Sequence, residues 1–107
     1  MNFRSVTVVR IYLREGEHVL EKLVRVLRDE LQIAGLTVLR GVLGFSDNGL
    51  LHPSSLIDLS LDLPLVVEFF EEPENVERIL ETLFHRFELA HVVCFQATTC
   101  DGARQAH

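Results

Sequence analysis

Apolar positions along the chain switch between a period of two and a period near 3.6, and each switch marks a predicted element. Ser5 to Leu13 (SVTVVRIYL) is rich in β-branched and aromatic residues and predicts a strand. From Glu17 to Gln32 the spacing changes: Leu20, Leu23, Val24, Leu27 and Leu31 form one stripe of helical period, with Gly35 beyond it as a stop. Leu36 to Leu43 (LTVLRGVL) returns to strand character around Gly41. Leu63 to Phe70 (LPLVVEFF) predicts a third strand with Pro64 near its start. Pro73 suits a first helical turn, and Val76, Ile79, Leu80, Leu83, Phe84 and Phe87 then share one helix face. Ala90 to Thr98 (AHVVCFQAT) predicts a fourth strand.

Between the second and third strands, Gly44 to Asp62 keeps no period, because glycine, asparagine, proline and four serines interrupt every short apolar group. A stretch of about 19 residues exceeds the roughly 12 to 15 beyond which an unstructured loop is uncommon, so it is either functional or partly disordered. The order is β-α-β-β-α-β. The expected fold class is α+β: a ferredoxin-like sandwich, a four-stranded antiparallel sheet with two helices on one face. One domain over residues 1–100 is expected, with residues 101–107 as a polar, loose tail.

This arrangement covers one side of the sheet only. Yet Thr7, Val9, Ile11, Leu13 and Val6, Val8, Arg10, Tyr12 are both substantially apolar sets, and the third and fourth strands repeat the pattern. About six apolar side chains left on the open side, at roughly 1.5 to 3 kcal/mol each for full burial, forfeit an energy comparable with a domain's net stability. Self-association is the simplest cover, so a homo-oligomer is expected.

Composition narrows the function classes. The 107 residues are 48% hydrophobic and 24% charged, which is globular composition. Ten basic against sixteen acidic residues give a formal charge of −6, which disfavours binding to a nucleic-acid backbone. No apolar run reaches the roughly 18 residues of a membrane span, and Met1 to Ser5 lacks the layout of a secretory signal. Cys94 and Cys100 lie six residues apart in or beside one expected strand, about 20 Å along it, too far to pair. These features together predict a cytoplasmic protein.

Few residues carry chemistry. Glu71, Glu72, Glu74 and Glu77 crowd a helix start, where carboxylates are expected for the helix dipole. The five histidines show no i, i+4 pair and no ligand spacing, and no nucleophile-elbow motif occurs. His52 stands apart because it lies in the long loop beside Pro53. Gly41 and Gly44 permit a close backbone approach or a cradle for phosphate, with Arg40 as the cation able to grip an anion through two hydrogen bonds. A strand ending in a flexible turn explains the same spacing equally well.

The run Ala34 to Phe45 (AGLTVLRGVLGF), then His52, then Asp62 to Glu68 (DLPLVVE), resembles the domain-of-unknown-function 190 family, whose members are related in fold to PII signalling proteins. The resemblance spans about Val6 to Ala97. It implies a ferredoxin-like protomer, a homotrimer with the sheets facing inward, and a large signalling loop at 44–62. Ligand-binding residues would then be Arg40, Gly41, Gly44 and Phe45 at the loop base and His52 within the loop. The implied effector is ATP, ADP or another nucleotide such as a cyclic dinucleotide. The implied partner is a membrane transporter or channel reached through the loop, without direct membrane insertion. Two features depart from PII proteins: Phe87 to His91 (FELAH) replaces their glycine- and lysine-containing phosphate segment, and Gly44 to Asp62 holds no tyrosine.

The function expected is therefore non-enzymatic regulation. A metal-tolerance trimer of the CutA kind is the alternative, and no metal ligand set is assigned. An acylphosphatase-like activity is disfavoured because the first β-α connection, Arg14 to Glu17, is short and acidic. RNA binding is disfavoured by the absence of spaced aromatics and a basic residue in the third strand.

Overall fold

The computed structural model describes residues 1–44 and 63–102. Strand β1 (Asn2–Arg14) leads through a short 3-10 turn (Glu15–Glu17) into helix α1 (Leu20–Arg25), which widens into a π-type turn over Val26–Glu30. Strands β2 (Thr37–Arg40) and β3 (Pro64–Glu71) follow, then helix α2 (Pro73–Arg86) and strand β4 (His91–Asp101). The four strands form one sheet in the order β2-β3-β1-β4, and every neighbouring pair is antiparallel. This is the expected ferredoxin-like arrangement.

One side of the sheet holds the core. Val9, Ile11 and Leu13 of β1 and Leu65, Val67 and Phe69 of β3 are buried against Leu23, Val26 and Leu27 of the first helical segment and Val76, Ile79 and Leu83 of α2. The period-two and period-3.6 patterns meet here: alternate strand residues face the two helical stripes. Thr7, a buried polar residue, has its hydroxyl satisfied by the Gln96 side-chain amide, 3.2 Å away. Phe84, expected on the inner face of α2, is instead exposed, because the helix turns Ile79 and Leu83 inward and carries residue 84 past the edge of the contact.

Element ends depart from the sequence pattern for identifiable reasons. The first helix stops at Gln32, not Gly35: Gln32 adopts the left-handed conformation (φ 54°), and the Ile33 N–H donates to the Leu27 carbonyl at 3.1 Å. That bond closes seven residues, one more than the 6→1 bond of a Schellman motif, because the last turn is π-type, and the end is built on a residue with a Cβ. β1 and β4 run longer than their apolar cores. Residues 2–6 pair only with residues 97–101, from Asn2 opposite Asp101 to Val6 opposite Ala97, and form a two-stranded ribbon beyond the β3 register. An Arg4–Asp101 ion pair at 3.5 Å lies at its tip. Both cysteines fall within β4, and both thiols are free.

The two helical segments are joined at one end by a bidentate pair. Arg86 Nη1 and Nη2 donate to Glu30 Oε2 and Oε1 at 2.9 and 2.5 Å. The hydrogen bond from Arg86, aided by its charge, holds the Glu30 carboxyl below the ordinary glutamate range, against opposing desolvation and the nearby Asp29. A depressed folded-state pKa means the contribution is present above the unfolded-state value and is lost as the pH falls through the folded one. Carboxyl-carbon NMR titration should therefore show Glu30 protonating below an ordinary glutamate, and Arg86→Ala should return it toward the ordinary value. Unchanged titration in that variant would contradict the pairing.

Candidate functional site

The two roots of the 44–62 connection meet the β1–α1 turn at one end of the sheet, and a few specific bonds join them. β2 ends at Arg40 because the next residue must come close to β3. The Gly41 N–H donates to the Pro64 carbonyl at 2.8 Å, and a Cβ on Gly41 would stand 2.7 Å from Pro64 Cγ. A Cβ on Gly44 would stand 3.1 Å from the same atom. The two glycines thus have a steric cause, the Pro64 ring. The Gly41 amide is committed to a backbone carbonyl.

Glu15 joins both roots. Its backbone N–H donates to the Leu63 carbonyl at 3.0 Å, while its carboxylate pairs with Arg40 Nη2 at 2.5 Å. The turn that carries it is closed locally: the Arg14 N–H donates to Glu17 Oε1 at 2.8 Å, and the His18 N–H donates to the Glu15 carbonyl at 3.2 Å. His18 itself is left-handed (φ 56°), a conformation that costs a residue with a Cβ roughly 1 to 2 kcal/mol.

These residues border an open cleft of about 590 Å³. Its polar lining is Glu15, His18, Glu21 and Arg40, and its apolar lining is Leu20, Val38 and Leu65. The arrangement offers one guanidinium for an anionic group and an apolar wall for a flat ring. The Arg40 side chain is 63% exposed despite its pairing, so an incoming anion competes with Glu15 for a cation that solvent already reaches. Cys94 lies elsewhere, in β4, and burial pushes its thiol pKa up, away from nucleophilic chemistry. Among the described residues, no group of three or more His, Cys, Asp or Glu is placed to hold a metal ion.

Of the residues picked from sequence, Arg40, Gly41 and Gly44 lie together at this end of the sheet, whereas Phe45 and His52 fall outside the described residues. Sequence reasoning missed Glu15, His18 and Glu21 as cleft residues. The signal available for Glu15 was its sign, opposite to Arg40, but only the strand register brings the two together.

The family model for DUF190, described as an uncharacterized ACR, matches residues 6–98. The chain belongs to the DUF190 family. A UPF0166 protein of Methanocaldococcus jannaschii is 32% identical over 82 residues, covering 72% of this chain and 74% of that one. Among solved structures, CPII from Thiomonas intermedia, bound to ADP and bicarbonate, superposes with a TM-score of 0.62 at 20% identity, covering 92% of this chain and 89% of that one. A protein assigned as PII-like signaling from Thermus thermophilus superposes with a TM-score of 0.60 at 19% identity, over 92% and 91% of the two chains. The DUF190 chain therefore has the PII-like fold. Among its described residues, no helix is long and apolar enough to cross a membrane.

The Gly41–Pro64 contact sets a test. Gly41→Ala should destabilise the fold by about 1 to 3 kcal/mol in urea unfolding, as overpacking does. Pro64→Ala in the same chain should recover most of that loss; a double variant no better than Gly41→Ala alone would place the strain elsewhere.

Proposed function

We propose that this DUF190 protein is a non-enzymatic, PII-like regulator. Copies assemble as a homotrimer through the open side of the sheet. An anionic effector, ADP, ATP or a similar nucleotide, binds beside Arg40 at the cleft where copies meet. The 44–62 connection, whose roots border that cleft, carries the bound state to a partner such as a transporter or channel in the cytoplasm. Phe45 and His52 are the residues of that connection assigned to the ligand.

The observation that carries this reading is the position of Arg40. It stands at the first root of the connection, is solvent-accessible, and is held by a carboxylate of the β1–α1 turn. An anion that draws Arg40 away from Glu15 breaks one of the two bonds by which Glu15 ties the roots together, so binding is coupled to the geometry of the connection. A structural neighbour of the same fold binds ADP and bicarbonate, which supports an anionic effector of this class. An effector that prefers one state of the roots tenfold supplies about 1.4 kcal/mol of bias. The metal-tolerance alternative has no observation in its favour.

Titration calorimetry with ADP and ATP tests the reading. The wild-type protein should bind, Arg40→Ala should weaken binding at least tenfold with the oligomer intact, and Glu15→Gln should strengthen it by removing the competitor. No binding by the wild type would overturn the proposal. Loss of assembly in Arg40→Ala would show the arginine to be structural.

A further inference from the structure

The open side of the sheet is apolar with a charged centre. Arg10 and Glu68 are direct cross-strand partners in β1 and β3, with Arg10 Nε donating to Glu68 Oε1 at 2.6 Å. The Arg10 guanidinium also lies over the Phe95 ring of β4, 5.0 Å from its centroid. Around this group Tyr12, Leu39, Phe70, Val93 and Phe95 are exposed. Their parity places them all on the side away from the helices, since Val9, Ile11, Val67 and Phe69 occupy the other.

We infer that the Arg10–Glu68 pair fixes the rotation at which further copies of this chain cover the face, and so sets a single stoichiometry. The inference rests on the assembly reading above and adds to it the residues that determine specificity. Apolar burial is non-directional, so a purely apolar face would accept neighbours at several rotations. A half-exposed ion pair at its centre changes that, because covering it with an apolar surface strips both charges of water without compensation. A second copy brings one guanidinium and one carboxylate of its own, which match the pair's two charges only at particular rotations. Arg10 has donors to spare for that contact, since Nε is one of five guanidinium N–H groups. The closest parallel is a single polar residue in an apolar helical interface, which specifies register and number of strands at a cost in stability.

Two full-length variants, followed by native mass spectrometry, test the inference. In the charge-swapped chain, Arg10→Glu with Glu68→Arg, the protein should assemble alone to the wild-type size. Mixed with isotope-labelled wild type, it should form hybrid oligomers at least tenfold below the statistical proportion. In the apolar chain, Arg10→Leu with Glu68→Leu, assembly should persist but distribute over more than one size. Statistical mixing of the swapped chain overturns the inference, as does a single size for the apolar chain. If the swapped chain fails to fold by circular dichroism, the apolar chain decides alone. A wild type that remains a single chain at micromolar concentration fails the assembly reading itself, before any variant is compared, and the inference with it.

Discussion

A sheet whose strands are apolar on both sides has to be covered twice, and among the described residues the two helical segments lie on the same side. The inner layer is dense: Val9, Ile11, Val67, Leu23, Leu27 and Leu83 are fully shielded. The outer side carries Val8, Tyr12, Leu39, Val66, Phe70, Val93 and Phe95 by strict alternation, because a strand cannot present one row of side chains without presenting the other. No rearrangement within one chain removes that second row without exposing the first, since a shift of one residue in register would merely exchange them. In the assembly proposed above, association between chains shields it.

The second organising element is steric and sits at the end of the sheet where the long connection departs and returns. Pro64 opens β3, and its ring occupies space that a side chain at residue 41 would need. Its carbonyl takes the Gly41 amide, and the residue before it gives its carbonyl to Glu15. Three backbone segments, from the β1–α1 turn, the end of β2 and the start of β3, are thereby held within hydrogen-bonding distance of each other. Arg40 and Glu15 are neighbours because of this backbone arrangement. A cation and an anion brought together by other bonds make a poor source of stability at an exposed site, but a natural point for a charged ligand to intervene.

The element order, the inner stripes and the uncovered side were legible in the sequence, because each depends on periodicity within a few residues. Pro73 at the start of α2 and the leucine stripe of the first helix needed no information from elsewhere in the chain. The ends of elements were less legible, because each is set by a distant partner. β2 is shorter than the run LTVLRGVL because Pro64, more than twenty residues away, claims the space beside Gly41. β1 and β4 are longer because polar residues such as Arg4, Thr98, Thr99 and Asp101 satisfy their backbones on each other, which a hydrophobic pattern cannot register. The same holds for the site. Arg40 stood out by type and by its glycine neighbours, whereas Glu15 read as an ordinary acidic turn residue until the strand order placed it beside that arginine.

The ribbon formed by residues 2–6 and 97–101 bears on how the molecule is handled. Asn2 lies opposite Asp101, so the two ends of the described chain emerge side by side. Arg14, at the far end of β1, lies opposite Pro64, next to the cleft. A strand of 13 residues puts roughly 40 Å between these poles. A fluorophore, affinity handle or surface tether attached at Asn2 or Asp101 would therefore stand a sheet's length from the cleft, and labels at both positions of one chain would be immediate neighbours.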